Sequence, residues 1–324
     1  MHPIPIRHQV SAAIFHEIRA AGEPVVLKGL VADWPIVRAK DAAAWLRGLA
    51  TAKPVHFMRA APEIEGRLHY DAGATGRNFE RGEATLSEFL DLLAVGTGEA
   101  LALQGLPAAS HMPDFAAANQ MPLLPSGITP RLWIGNAAKV ATHHDPSENL
   151  ACVAAGRRRF TLFPPEQVGN LYMGPFEPTP AGVQVSMVHV TAPDLTLYPR
   201  FAEALDAALI AELEPGDALY IPYHWYHHVE ALDAFNVLVN YWWDPARDDI
   251  GSPWDAMMAG MMSLRTLPPD QRRAWRAMFD HYVFLADGDP GAHLPAEARG
   301  ILAATSPQSV AQMRRALLAK LQSS

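Results

Sequence analysis

The sequence predicts a mainly β fold with flanking helices and a helical C-terminal segment. Three observations carry this expectation. From about Leu132 to Asp244, six short β-type runs succeed one another: "RLWIG", "LACVA", "RRFTLF", "VQVSMVHV", "DALYIPY" and "FNVLVNYWW". Clusters of Pro, Gly, Asp and Asn divide them rather than full helices, which indicates a barrel or sandwich core. Ahead of this region helix and strand patterns mix, and after Pro253 the pattern returns to helix.

In chain order, "SAAIFHEIRAAG" places Ile14, Phe15, Ile18 and Ala21 at helical spacing and stops at Gly22. "PVVLKGL" reads as a buried strand entered through Pro24 and ended by Gly29, and a helix-like "DAAAWLRGLA" and a short strand "PVHFM" follow. Within the β region only "FAEALDAALIAEL" has room for a helical turn or two. In the tail, Pro268 and Pro269 suit a helix N-terminus. Trp275, Met278, Phe279 and Tyr282 form a stripe behind them, and Val310, Met313, Leu317 and Leu321 form another. Such stripes ordinarily pack on their own core; a homodimer through the C-terminal helices is the sharper alternative. The expected division is a main domain over residues 1–250 and a helical, candidate dimerisation segment over 251–324.

Composition narrows the function classes. The chain has 324 residues, of which 49% are apolar and 19% charged, as in ordinary globular proteins. A net charge of −8 disfavours a broad nucleic-acid-binding surface. The single cysteine, Cys152, allows no intramolecular disulfide and no thiolate-rich metal site, and it fits a reducing cytoplasm. "MHPIPIRHQV" has no charged leader before an apolar core, and no apolar run is long enough to span a bilayer. Cytoplasmic chemistry on a protein, peptide or small molecule, with no membrane partner, is the expectation.

Two histidine clusters carry the chemistry. In "ATHHDPSEN", alternation along a strand puts His143 and Asp145 on one face and His144 on the other. In "ALYIPYHWYHHVEA", the positions Leu219, Ile221, Tyr223, Trp225, His227 and Val229 form the more apolar set, so they should face the interior. His227 is the one histidine among them, which leaves His224 and His228 as solvent-facing or hydrogen-bonded residues. His143, Asp145 and His227 thus form a candidate two-histidine, one-carboxylate triad, which covers one face of an octahedral metal and leaves positions open. The same parity in "RRRFTLF" turns Arg158 inward with Phe160 and Leu162. An inward arginine is costly unless it meets an anion, and its planar fork suits a carboxylate.

"HHDPSENLACVAAGRRRFTLFPPEQVGNLY", "LEPGDALYIPYHWYHHVEAL" and "VNYWWD" together resemble the cupin-like JmjC oxygenases. "PVVLKGLVADWP" and "GRNFERGEATLSEFL" add to the likeness, which runs over roughly residues 10–245. Within that family the pattern is most similar to the branch around the asparaginyl hydroxylase that inhibits hypoxia-inducible factor. The resemblance implies a double-stranded β-helix (jelly-roll) core holding Fe(II) and 2-oxoglutarate. It implies hydroxylation of a C–H bond, first of all in a protein or peptide side chain, with release of succinate and CO2. By position, His143, Asp145 and His227 become the metal ligands, with no further catalytic side chain required. Arg158 falls where the family holds the distal carboxylate of 2-oxoglutarate, and Asn149 and Asn240 fall where asparagines line the cosubstrate. Three departures stand out: His144 replaces a usual tyrosine, Thr142 substitutes only imperfectly for a threonine, and Ala102 stands where close relatives have a cosubstrate-binding tyrosine. Two alternatives remain at this point: a non-catalytic metal-binding cupin module, or an enzyme of the same fold that does not use 2-oxoglutarate.

Overall fold

The computed structural model describes residues 1–322 apart from 178, 181, 245–249, 304 and 305, with Leu321 described by its backbone alone. The chain divides into two compact units, Met1–Asp244 and Pro245–Ser324.

The first unit is built on eight strands: β1 (Arg131–Gly135), β2 (Lys139–His143), β3 (Glu148–Ala155), β4 (Arg158–Phe163), β5 (Leu209–Leu213), β6 (Ala218–Ile221), β7 (Tyr226–Ala231) and β8 (Asn236–Trp243). They are shared between two sheets, in the order β5-β4-β7-β2 in the smaller and β6-β3-β8-β1 in the larger. The chain passes from one sheet to the other after nearly every strand, which makes a jelly roll, the expected double-stranded β-helix. The larger sheet is extended on one side by Val25–Lys28 and Ile6–His8, and on the other by Ala100–Pro107, Pro54–Ala60 and Glu80–Thr85. The N-terminal mixture of helix and strand therefore widens this sheet and covers its back, while His2–Pro3 and Arg67–Leu68 edge the smaller one.

Strand alternation explains why β3 is buried along nearly its whole length. Ala151 and Val153 face the interior between the sheets with Phe160, Leu162, Leu219, Val229 and Leu238. Leu150 and Cys152 face the opposite way, into a helix-covered core with Phe15, Trp34, Leu46 and Phe89. A strand covered on both faces reads as a continuous apolar run, as "LACVA" does. The helix Ala12–Ala21 starts where Ser11 Oγ accepts from the Ile14 amide and ends at Gly22, whose φ of 67° suits a residue without Cβ.

One run meets the sequence expectation of a helical turn or two, and one β-type run departs from it. "FAEALDAALIAEL" splits into the helix Phe201–Ala207 and the strand β5. "VQVSMVHV" forms no strand; its one ladder contact is an isolated bridge from Met173 to Ser186. Its apolar residues are buried because it lies within the long connection between β4 and β5. There Val188 and Val190 pack with Phe163, Leu171, Phe201 and Tyr226, while the Ser186 amide donates to the Thr142 carbonyl of β2 at 2.8 Å.

The second unit holds the helices Pro253–Leu264, Pro269–Tyr282 and Pro307–Gln322. Its stripes are only partly packed: Val310 is 8% exposed, but Trp275, Met278 and Tyr282 are 45–48% exposed and Leu317 is 64% exposed. The side chain of Leu321 lies outside the described residues. No helix among the described residues is long and apolar enough to cross a membrane.

Candidate metal centre

His143 ends β2 and His227 lies on β7, its neighbour in the smaller sheet, where the two are paired in register. Paired residues of an antiparallel ladder share a face. From His227 to Val229 the partner moves from His143 back to Val140, three residues against two, so β2 carries a bulge. The bulge lets both Val140 and His143 line the same cavity although their spacing in sequence is odd. Asp145 follows on the loop after β2.

The ligand atoms of His143, Asp145 and His227 all lie within 4.8 Å of one another. His227 Nε2 is 3.6 Å from Asp145 Oδ2, and the two side chains are 5% and 13% exposed. Each imidazole is aimed by its other nitrogen. His143 Nδ1 is 2.8 Å from the Ala141 carbonyl and His227 Nδ1 is 3.1 Å from the Trp225 carbonyl. A carbonyl only accepts, so both Nδ1 atoms carry the proton and both Nε2 lone pairs are free to bind a cation. Burial pushes the His227 imidazole down to about 4, with His143 adding to the effect, so the ring stays neutral over the ordinary pH range.

The larger sheet supplies the facing wall. Asn149 donates to Asp145 Oδ2 at 3.3 Å, and Asn240 donates to Asn149 Oδ1 at 2.8 Å, which fixes the carboxylate from behind. Arg158 lines the same cavity of about 340 Å³. It is 6% exposed, and its one hydrogen bond is a long one, 3.4 Å from Nη2 to the Trp133 carbonyl. Among the described residues its Nε has no partner, nor does Asn240 Oδ1. Burial alone pushes the guanidinium down to about 10. A buried cation with unspent donors beside a three-ligand cluster fits a divalent metal and a chelating carboxylic acid.

The other expected residues distribute as follows. Thr142 is fully buried with its hydroxyl unpartnered, and it does not line the cavity. His144 stacks on His224 with ring centroids 4.4 Å apart, away from the cluster. "ALYIPYHWYHHVEA" is not one strand: β6 ends at Ile221, β7 begins at Tyr226, and His224 occupies the intervening turn with φ of 61°. His228 corrects the expectation of a solvent-facing or hydrogen-bonded side chain. It is 4% exposed, neither ring nitrogen has a hydrogen-bond partner among the described residues, and Nε2 lies 3.9 Å from Glu230 Oε1. His228 is buried although Arg159 and Glu212, on the same outer face of the smaller sheet, are 38% and 42% exposed.

Sequence reasoning missed Met58, Arg81 and Gln104, which line the cavity from the extension of the larger sheet. Met58 pairs with both Arg81 and Ala102, so these three form a row on one face. The signal was present but faint, as a cation in the polar strand "ERGEAT". Also missed was Glu148, which receives two bonds from Arg19 at 2.7 and 2.8 Å and one from the Tyr220 hydroxyl at 3.1 Å.

A jelly roll with a His/Asp/His cluster at its inner wall is a candidate metal centre of the cupin type. Residues 11–249 match the model of the Cupin-like domain, and the chain belongs to that family. Among named relatives, Lysine-specific demethylase JMJ31 of Arabidopsis thaliana is 38% identical over 112 residues, 34% of this chain and 20% of that protein. Human HSPB1-associated protein 1 is 35% identical over 150 residues, 44% of this chain and 30% of that protein. Lysine-specific demethylase 8 of Xenopus tropicalis is 27% identical over 227 residues, 68% of this chain and 48% of that protein. The chain thus spans from a fifth to about half the length of these relatives.

Proposed function

We propose that this protein is an Fe(II)- and 2-oxoglutarate-dependent oxygenase that hydroxylates a C–H bond of a protein or peptide side chain. Fe(II) and 2-oxoglutarate together supply oxidative decarboxylation with dioxygen, giving succinate, CO2 and one oxygen atom for the substrate. His143, Asp145 and His227 would hold the metal through one face and leave the other open. Arg158 would take the far carboxylate of the cosubstrate. Asn149 keeps Asp145 oriented, and the carbonyls of Ala141 and Trp225 keep both imidazoles in the binding tautomer.

The observation that supports this reading most is Arg158: a buried guanidinium without a carboxylate partner among the described residues, in the cavity of the cluster. A structural metal site gives no reason to keep it. The order of motifs favours the asparaginyl hydroxylase branch for substrate type, a cytoplasmic setting remains our expectation, and the exposed helical stripes favour self-association of the second unit. Anaerobic titration with Fe(II) and 2-oxoglutarate, followed by mass spectrometry of candidate peptides for a one-oxygen gain, tests the reading. Metal binding without metal-linked 2-oxoglutarate binding would leave a metal-binding module or an enzyme that uses another chemistry.

A further inference from the structure

We propose that the cavity selects an acidic peptide substrate, with Arg81 and Arg131 as its specificity-determining residues. The inference rests on reading the cavity as an oxygenase site and adds the charge of what enters it.

The first argument is the charge inventory. Asp145 is the only carboxylate among the described residues that line the cavity. It already belongs to the metal cluster and is hydrogen-bonded by Asn149. Against it stand Arg158 on the inner wall and Arg81 on the strand Glu80–Thr85. Arg81 is solvent-exposed and has neither an ion pair nor a hydrogen bond among the described residues. Elsewhere in this unit arginines are commonly neutralised: Arg59, beside Met58, is held by both oxygens of Glu99 at 2.7 Å, and Arg157 reaches Asp233 at 3.0 Å.

Arg131 adds a second cation. Register pairs it with Asn240, which places its side chain on the inner face of the larger sheet. Its Nη1 donates to the carbonyl of Gly105, a cavity residue, at 3.2 Å. Its guanidinium lies 5.8 Å from the ring centroid of Trp242, another lining residue. No carboxylate among the described residues pairs with it. Trp242 itself keeps its indole N–H buried without an acceptor. The cavity therefore offers Arg81, with Arg131 beside its lining residues Gly105 and Trp242, as positive groups beyond those assigned to the cosubstrate.

This arrangement opposes a methyl-ammonium substrate. Such a cation needs open aromatic faces or carboxylates around it. Trp133 and Trp242 are the indoles of the cavity, but they meet each other edge to face at 5.1 Å, and Arg131 already covers Trp242. A second cation would approach Arg81, Arg131 and Arg158 in turn and pay like-charge repulsion. An aspartate or glutamate beside the reacting carbon meets complementary charge. The net charge of −8 makes the same local patch a poor basis for a polynucleotide, which needs a long basic track.

The test is affinity selection. A terminally blocked peptide library with one position varied among acidic, neutral and basic residues is offered to the full chain, loaded with Mn(II) and 2-oxoglutarate without oxygen. Retained peptides are identified by mass spectrometry, and the selection is repeated with Arg81→Glu and with Arg131→Gln. We expect acidic peptides to be enriched at least tenfold over basic ones. Arg81→Glu should remove that preference or invert it, and Arg131→Gln should reduce it severalfold. Enrichment of neutral or basic peptides, no enrichment, or an acidic preference untouched in Arg81→Glu would overturn the proposal. So would displacement of the acidic peptides by a short single-stranded RNA but not by glutamate-rich peptide. A separate calorimetric titration of 2-oxoglutarate into the Mn(II)-loaded chain reports on the cosubstrate alone. Failure there with the acidic selection intact would remove the oxygenase reading and leave the charge preference standing.

Discussion

At the scale of single residues, the three histidines of "HWYHHVEA" have three different fates, and the fates decide what mutations do. His227 is buried with Nε2 free and Nδ1 occupied, while His224 stacks on His144 in a turn. His227→Ala is expected to abolish tight Fe(II) binding, because two remaining ligands no longer cover one face of the ion. His224→Ala should leave metal affinity within about twofold, a change near the limit of detection in free energy. Anaerobic metal titration of the two variants checks both outcomes. Arg158 makes a sharper case, since it touches no ligand of the metal yet should govern the cosubstrate. Arg158→Met should weaken 2-oxoglutarate by about 2–4 kcal/mol, the cost of removing one partner of a buried charge pair, and leave Fe(II) affinity unchanged. Equal loss of both affinities would instead mean that the variant perturbs the cavity as a whole.

At the scale of elements, the legible part of the site is what alternation along a single strand can reveal. His227 among apolar neighbours and Arg158 with Phe160 and Leu162 follow from local spacing, and the register of β4, β7 and β2 places them with His143 on one wall, while Asp145 joins from the loop after β2 rather than by strand alternation. What alternation cannot reveal is pairing between distant segments. The bulge in β2 exists only relative to β7. Arg81 reaches the cavity because Glu80–Thr85 and Pro54–Ala60 extend the larger sheet beyond β1. His228 is buried on a face where Arg159 and Glu212 stay open to water, a difference no strand pattern encodes. The tie between Arg19 and Glu148 spans 129 residues, and its polar groups read as surface until the helix Ala12–Ala21 docks. That tie yields a prediction. Arg19→Ala leaves Glu148, 8% exposed, with one hydroxyl partner in place of a bidentate cation. The loss should be about 2–3 kcal/mol of stability, read as a lower urea midpoint at unchanged m-value.

For the molecule as a whole, buried neutral histidines set the response to acid. Burial is the first cause holding His144, His227 and His228 each at about 4. In the unfolded chain the same rings take up a proton near 6.5. As pH falls from about 6.5 toward 4 the unfolded state therefore binds protons that the folded state refuses, and stability drops by roughly 1.4 kcal/mol per pH unit for each ring. Thermal unfolding of the metal-free chain should show a steep fall in Tm across this window, and His228→Leu should make it shallower. The second unit poses the remaining question at this scale. Met262 is 69% exposed, Leu317 64%, Met278 48% and Trp275 45%, on helices whose apolar stripes are regular in sequence. Apolar side chains repeated along helix faces at this exposure mark an interaction surface, and a second copy of the same helices is the partner we propose, because a two-fold contact matches each stripe to its equal. Light scattering should give twice the mass of one chain at micromolar concentration. A chain ended before Pro253 should run as a monomer, and Met262→Glu with Leu317→Glu should do the same while costing little in the isolated chain, since both positions are already open to water. A full-length chain that stays monomeric over that range would refute the self-association and return the stripes to a partner of another kind.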